Sequence, residues 1–222
     1  MKKIISCLIL FAVVFSFVSC SSLVKLVPGE DGGYVDEKND IIYLSAPVCF
    51  EPVSLGDEYA YYKSSGGTEV VLRTVGEFSP LEWLSESYAG IGSLYYASDV
   101  SLPSLFDFGA YEILICVEGD LTMHIGTVDN RAAVERILSH IASTEPCDMP
   151  ADGVNSYHLK FKSETYTGLY YDILYIITPD AKGWFYDRST KLAYPAGDAM
   201  AGYIYEVDEE VEANDGVKGG SR

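Results

Sequence analysis

AYEILICVEGDLTMHIGTVDNRAAVERILSHI, residues 110–141, carries the period changes that decide the fold class. Ala110 to Val117 is an apolar, β-branched run, and Leu121 to Val128 alternates, so both read as strands. Glu118-Gly119-Asp120 between them is turn chemistry, and a connection this short makes the pair an antiparallel hairpin. After Asp129 the period changes. Val134, Ile137, Leu138 and Ile141 recur at helical spacing, with Arg131, Glu135, Arg136 and Ser139 on the opposite side. The unit is strand, turn, strand, helix, with one helix face packed on the sheet.

Working outward, the same order recurs as a weak threefold internal repeat. Upstream, Glu58 to Lys63 and Thr68 to Val75 flank Ser64-Ser65-Gly66-Gly67. Ser79-Pro80-Leu81-Glu82 follows with a helix start: serine at the cap, proline at the first helical position, glutamate at the third, and Phe78 and Trp83 placed as a hydrophobic staple. Downstream, Leu169 to Thr178 and Trp184 to Asp187 flank Pro179 to Gly183, Lys191 to Tyr194 is inserted, and a short helix is expected near Asp198. Ile41 to Phe50 and Tyr157 to Phe161 are further strands outside the repeat. The expected fold is α+β: antiparallel sheets with helices gathered on one face, in a single domain over 41–205 whose natural place to split into two subdomains is 100–108.

The ends differ from this body. Residues 21–40 are polar and turn-rich, with Pro28, Gly29, Gly32 and Gly33, and read as a flexible tether. Residues 206–222 are acidic, end on Gly219 and Gly220, and have too little apolar content to order themselves. At the N-terminus, Lys2 and Lys3 precede an apolar run from Ile4 to Phe17, then Val18, Ser19 and Cys20. That order is an export signal, too short in its apolar part to favour a permanent membrane span. Phe17-Val18-Ser19-Cys20 resembles the lipobox of bacterial lipoprotein precursors. The resemblance implies cleavage after residue 19, acylation of Cys20 and anchoring to the outer face of the cell membrane. An ordinary secretory signal cut near Ser19 is the alternative. The body, through the Asp129 helix and Tyr186-Asp187-Arg188, is similar in style to uncharacterised surface lipoproteins of Gram-positive, Firmicutes-type bacteria, which implies no particular activity.

Charge narrows the partners. The formal charge is −18, and loss of Lys2 and Lys3 with the signal makes it more negative, which repels phosphate backbones and disfavours nucleic acid. Cys49, Cys116 and Cys147 remain beside Cys20; they read as free thiols, with one disulfide as the alternative, and their spacing gives no zinc motif. No nucleophile-elbow, zinc-protease, phosphate-loop or dinucleotide pattern is present, so no catalytic residue, metal ligand or cofactor is assigned. His124 and His158 are placed on the strand faces away from the core, the latter beside Lys160, and His140 near a helix end, each with an ordinary structural role.

Tyrosine is in surplus, 18 in all. Pairs at Tyr61-Tyr62 and Tyr170-Tyr171 place one ring on each side of a strand, and Trp184 and Tyr186 share a face. Those six residues form the candidate interaction surface, against the plainer reading that tyrosine is simply a good strand former. Together these features describe a non-enzymatic envelope lipoprotein that binds a protein, peptide or glycan. An envelope hydrolase with a carboxylate pair, and a sensor of envelope state, are the alternatives. Metabolic labelling with a fatty-acid probe is expected to mark the wild-type chain and not Cys20→Ala; label retained by that variant would rule out acylation at this cysteine.

Overall fold

The computed structural model describes residues 23–29, 32–86, 93–119, 121–149 and 153–204. The export signal, Cys20 and the acidic stretch 206–222 lie outside the described residues.

The fold is mostly β, not α+β with helices on a face, and the described residues contain one helix, α1 (Arg131–Ser143). Two sheets carry the architecture. The first contains β1 (Val24–Lys25), β2 (Val27–Pro28), β3 (Tyr34–Asp36), β4 (Ile41–Ser45), β6 (Leu55–Lys63), β7 (Glu69–Val75), β8 (Trp83–Glu86) and β9 (Leu94–Ala97), in the order β1-β6-β7-β8-β9-β4-β3-β2. Because β1 and β2 are separated only by Leu26, the two ends of that order meet. β1 runs parallel to β6, the Leu26 N–H donates to the Tyr61 carbonyl, and β2 pairs antiparallel with β3. The sheet therefore curls into a nearly closed barrel, with Leu26 buried inside it.

Tyrosines fill the barrel. Tyr43, Tyr62 and Tyr95 are buried with Leu26, Ala60, Leu72 and Leu84, and Tyr34 stacks on Tyr62 at 4.2 Å between ring centroids. Each buried hydroxyl has an acceptor: Tyr43 donates to the Pro80 carbonyl at 2.7 Å, and Tyr62 and Tyr95 donate to Glu86 Oε1 at 2.7 and 2.9 Å. Burial is the main cause that pushes all three hydroxyls well above the usual phenol range.

The second sheet runs β11-β10-β12-β13-β14-β15, with β5 (Phe50–Pro52) added to β13. Its strands are β10 (Ala110–Val117), β11 (Met123–Val128), β12 (Asn155–Ser163), β13 (Leu169–Ile177), β14 (Gly183–Asp187) and β15 (Leu192–Pro195), joined antiparallel throughout. The hairpins at β6–β7, β10–β11 and β13–β14 follow the turns legible in the sequence. Helix α1 is capped by Asn130, whose side chain accepts from the Ala133 N–H, and buries Ala133, Val134, Ile137 and Ile141 against the inner face of this sheet.

Four further expectations are corrected. The helix at Ser79 is one turn: Leu81 donates to Ser79 Oγ and Trp83 to the Ser79 carbonyl, and Phe78 and Trp83 do meet at 6.0 Å, but the chain then extends as β8. Tertiary burial overrides the local signal, because Leu84 points into the barrel while Trp83 joins the core of the second sheet. The segment near Asp198 forms successive turns rather than a helix, with Gly197 and Gly202 at positive φ. The threefold repeat thus survives only as hairpins. In place of a flexible tether, residues 24–36 supply three short strands of the barrel.

A glycine pair joins the two halves. Gly76, at φ +51° after β7, lies so close to Gly168, just before β13, that an added Cβ would fall 2.7 Å from the Gly168 Cα. Gly168 in turn packs under Phe78 and its carbonyl accepts from the Val53 N–H. Gly168→Ala is expected to lower stability by about 1–3 kcal/mol through overpacking, read as a reduced midpoint in urea unfolding, whereas Gly66→Ala in the open β6–β7 turn is expected to change it far less.

Candidate functional site

The alternation of β12 and β13 builds the site. Tyr157, Leu159 and Phe161 of β12, and Leu169, Tyr171, Ile173, Tyr175 and Ile177 of β13, face the inner core. The intervening His158, Lys160, Tyr170 and Asp172 therefore share the outer face. Cross-strand register sets Cys116 opposite His158, His158 opposite Leu174, and Leu174 opposite Tyr186.

Asp172 lies in the gap where β13 passes from pairing with β5 to pairing with β14, and it is fully buried. A charge there needs partners. His158 Nδ1 lies 2.9 Å from Asp172 Oδ2, and the Arg188 guanidinium donates to the same carboxylate. On its other side, His158 Nε2 is 3.1 Å from Glu118 Oε2. Lys160 Nζ donates to Glu51 Oε2 at 2.5 Å and to Glu118 Oε1 at 3.2 Å, and Arg188 also reaches the Val48 carbonyl. Three carboxylates, two permanent cations and one imidazole make a continuous cluster.

Burial alone pushes the Lys160 ammonium down, but hydrogen bonds and charge from Glu51 and Glu118 outweigh it, and the net shift is upward. The lysine thus prefers its charged form more in the fold than in the unfolded chain. Its contribution to stability is fully present below the ordinary lysine value of about 10.4 and is lost as pH rises through the raised one.

Two chemistries follow from the placement. Glu51, His158 and Asp172 each present a ligand atom, all within 4.8 Å of one another, which is the donor set of a divalent transition metal. Lys160 and Arg188 already hold those carboxylates, so a metal would have to displace them. Cys116 beside His158 and Asp172 has the residue types of a thiol nucleophile with its base, but burial holds this thiol above its usual range. The described cysteines Cys49, Cys116 and Cys147 are all free thiols.

The residues singled out from sequence divide between the sheets. Tyr170, Trp184 and Tyr186 all lie half-buried on this outer face, Tyr170 opposite Glu51 and Lys162, Tyr186 opposite Leu174 and Trp184 farther along, opposite Ile176. Tyr171 is in the inner core, Tyr62 is inside the barrel, and Tyr61 lies half-buried on the outside of β6. Cys20 lies outside the described residues. His124 is exposed and meets Thr127, and His140 meets the Pro195 carbonyl. His158 lies beside Lys160 on the face away from the core, as the alternation implies, but it is buried there and held between Asp172 and Glu118. Glu51, Glu118, Asp172 and Arg188 were not read from sequence; the one available signal was a lone aspartate in the apolar run of β13.

Comparison with protein-family models, curated proteins and solved structures finds no match.

Lys160→Met is expected to lower stability at pH 7 by about 2–3 kcal/mol, since it leaves two carboxylates facing each other without their shared cation. Urea unfolding across pH 7–11 should also show the variant losing less stability on the alkaline side than wild type.

Proposed function

We propose that this chain is a non-enzymatic lipoprotein of the cell envelope, held through Cys20 at the outer face of the membrane, that binds a protein, peptide or glycan. Its ligand meets the outer face of the second sheet. The export-type order of residues 1–20 supports the location, and the acidic charge favours partners other than nucleic acid.

The observation that carries the binding reading is the composition of that face. Half-buried Tyr170, Trp184 and Tyr186, with Leu114, Leu174 and Ile176, share the outer face with a desolvated ion cluster, and α1 packs on the opposite side of the sheet. Flat rings beside fixed charges suit stacking and directional hydrogen bonding to a polar ligand. Each carboxylate of the cluster is engaged by a cation, which suits recognition by charge better than proton transfer to a scissile bond. Two buried donors, Trp184 Nε1 and Arg188 Nε, lack a protein acceptor.

Binding to an array of envelope glycans and peptides tests the reading. Trp184→Ala is expected to weaken the captured ligand by at least about tenfold while the far-ultraviolet β signal is retained, and Tyr61→Ala, on the barrel, is expected to leave affinity unchanged. Undiminished binding by the Trp184 variant would place the ligand elsewhere.

A further inference from the structure

A cavity lies on the other side of the same sheet. It occupies about 150 Å³ between the inner face of β13–β15, the C-terminal part of α1 and the loop before β10. Its walls are apolar and aromatic: Ile141 from the helix, Ile173 and Tyr171 from β13, Phe185 from β14 and Tyr194 from β15. An apolar protein cavity of this size holds one benzene-sized ring. Phe106, which also lines it, is 50% exposed.

The charged residue lining this cavity is Asp187, beside the hydroxyl-bearing Ser104 and Thr190. It follows Phe185 by two residues on β14, so strand parity turns its side chain to the same inner side. Its Oδ1 accepts from the Ser189 and Thr190 N–H groups at 2.8 and 3.4 Å, which holds the carboxylate in place across the β14–β15 turn. Oδ2 takes no hydrogen bond from the described residues. The negative charge is felt by the cavity walls: after burial, Asp187 is the next cause that raises the Tyr194 hydroxyl, and it contributes at Tyr171. Arg188, the next residue, points to the opposite face and is committed to Asp172. The cavity therefore couples a ring-sized apolar space to a half-buried carboxylate with one open oxygen, in a protein whose formal charge of −18 attracts cations.

We propose that this cavity binds a small aromatic amine, with the ring between Ile141, Ile173 and Phe185 and the ammonium on Asp187 Oδ2. The site is distinct from the outer-face cluster and does not rest on the function proposed above. Ring and charge are both required: the ring supplies apolar burial, and the carboxylate selects an amine over a neutral analogue of the same size.

Calorimetric titration of the full chain with benzylamine, benzyl alcohol and butylamine tests this. Benzylamine is expected to bind at least about tenfold more tightly than either analogue. Asp187→Asn, which retains the Oδ1 acceptor for the turn, is expected to abolish the preference for benzylamine over benzyl alcohol while leaving benzyl alcohol binding unchanged. Ile173→Phe, which fills the cavity, is expected to remove binding of both; Ile141→Phe fills it from the helix side should the first variant fail to fold. Trp184→Ala is expected to bind benzylamine as wild type does, separating this site from the outer face. The proposal is overturned if no benzylamine binding is detected, if butylamine binds equally well, or if either Asp187→Asn or a folded cavity-filled variant retains wild-type affinity for benzylamine.

Discussion

The strict two-residue alternation of β13 is the constraint on which the second half of the molecule depends. Its odd-numbered residues build the inner core and its even-numbered residues the outer face, so a slip of one position would bury Asp172 among Ile113, Phe161 and α1 and expose five large apolar side chains. The strand pairs with β12 from Tyr170 to Ile177, but its other edge is divided between β5 and β14. That division opens the gap in which Asp172 sits and brings Glu51 and Arg188, 137 positions apart in sequence, beside it, so that one guanidinium reaches both carboxylates. A register choice made for hydrophobic reasons thereby determines an electrostatic structure.

The two halves solve the problem of buried polarity differently. In the barrel, aromatic hydroxyls converge on Glu86 and on the Pro80 carbonyl, so large rings fill a narrow interior without leaving donors unpaired. On the second sheet, full charges are drawn together in alternating sign. Neutral donors tolerate a closed interior, whereas the ion cluster remains at a face where Glu118 and Arg188 retain contact with solvent. Tyr62 and Tyr95 serve packing inside the barrel, whereas Tyr170 and Tyr186 lie half-buried on the outer face of the second sheet.

What could be read in advance follows the range of each signal. The hairpins were legible because the residues that turn the chain, such as Gly66-Gly67 and Glu118-Gly119, lie between the strands they join. Helix α1 was legible from Val134, Ile137 and Ile141 at their spacing. Ser79 to Trp83 misled because a capping sequence describes only a first turn, and whether a second follows depends on β7 and β9, which bury Trp83 and Leu84 from both sides. The strands near residues 24–36 were missed because two or three residues cannot display a period. The cluster was invisible for another reason: Lys160 and Glu51 are 109 positions apart and Arg188 and Glu51 137, so nothing local relates them.

The closure of the barrel has a mechanical consequence. Val24, the first residue of the closing strand, is four positions from Cys20, a reach of about 14 Å even at full extension. A lipid on Cys20 would leave the domain almost no leash. The barrel would ride against the headgroups with its closing strand toward the bilayer, and a pull on the anchor would be felt directly by the Leu26 seam. Orientation, rather than distance from the surface, is then what the N-terminal segment would control, and it would decide which way the face around Asp172 looks.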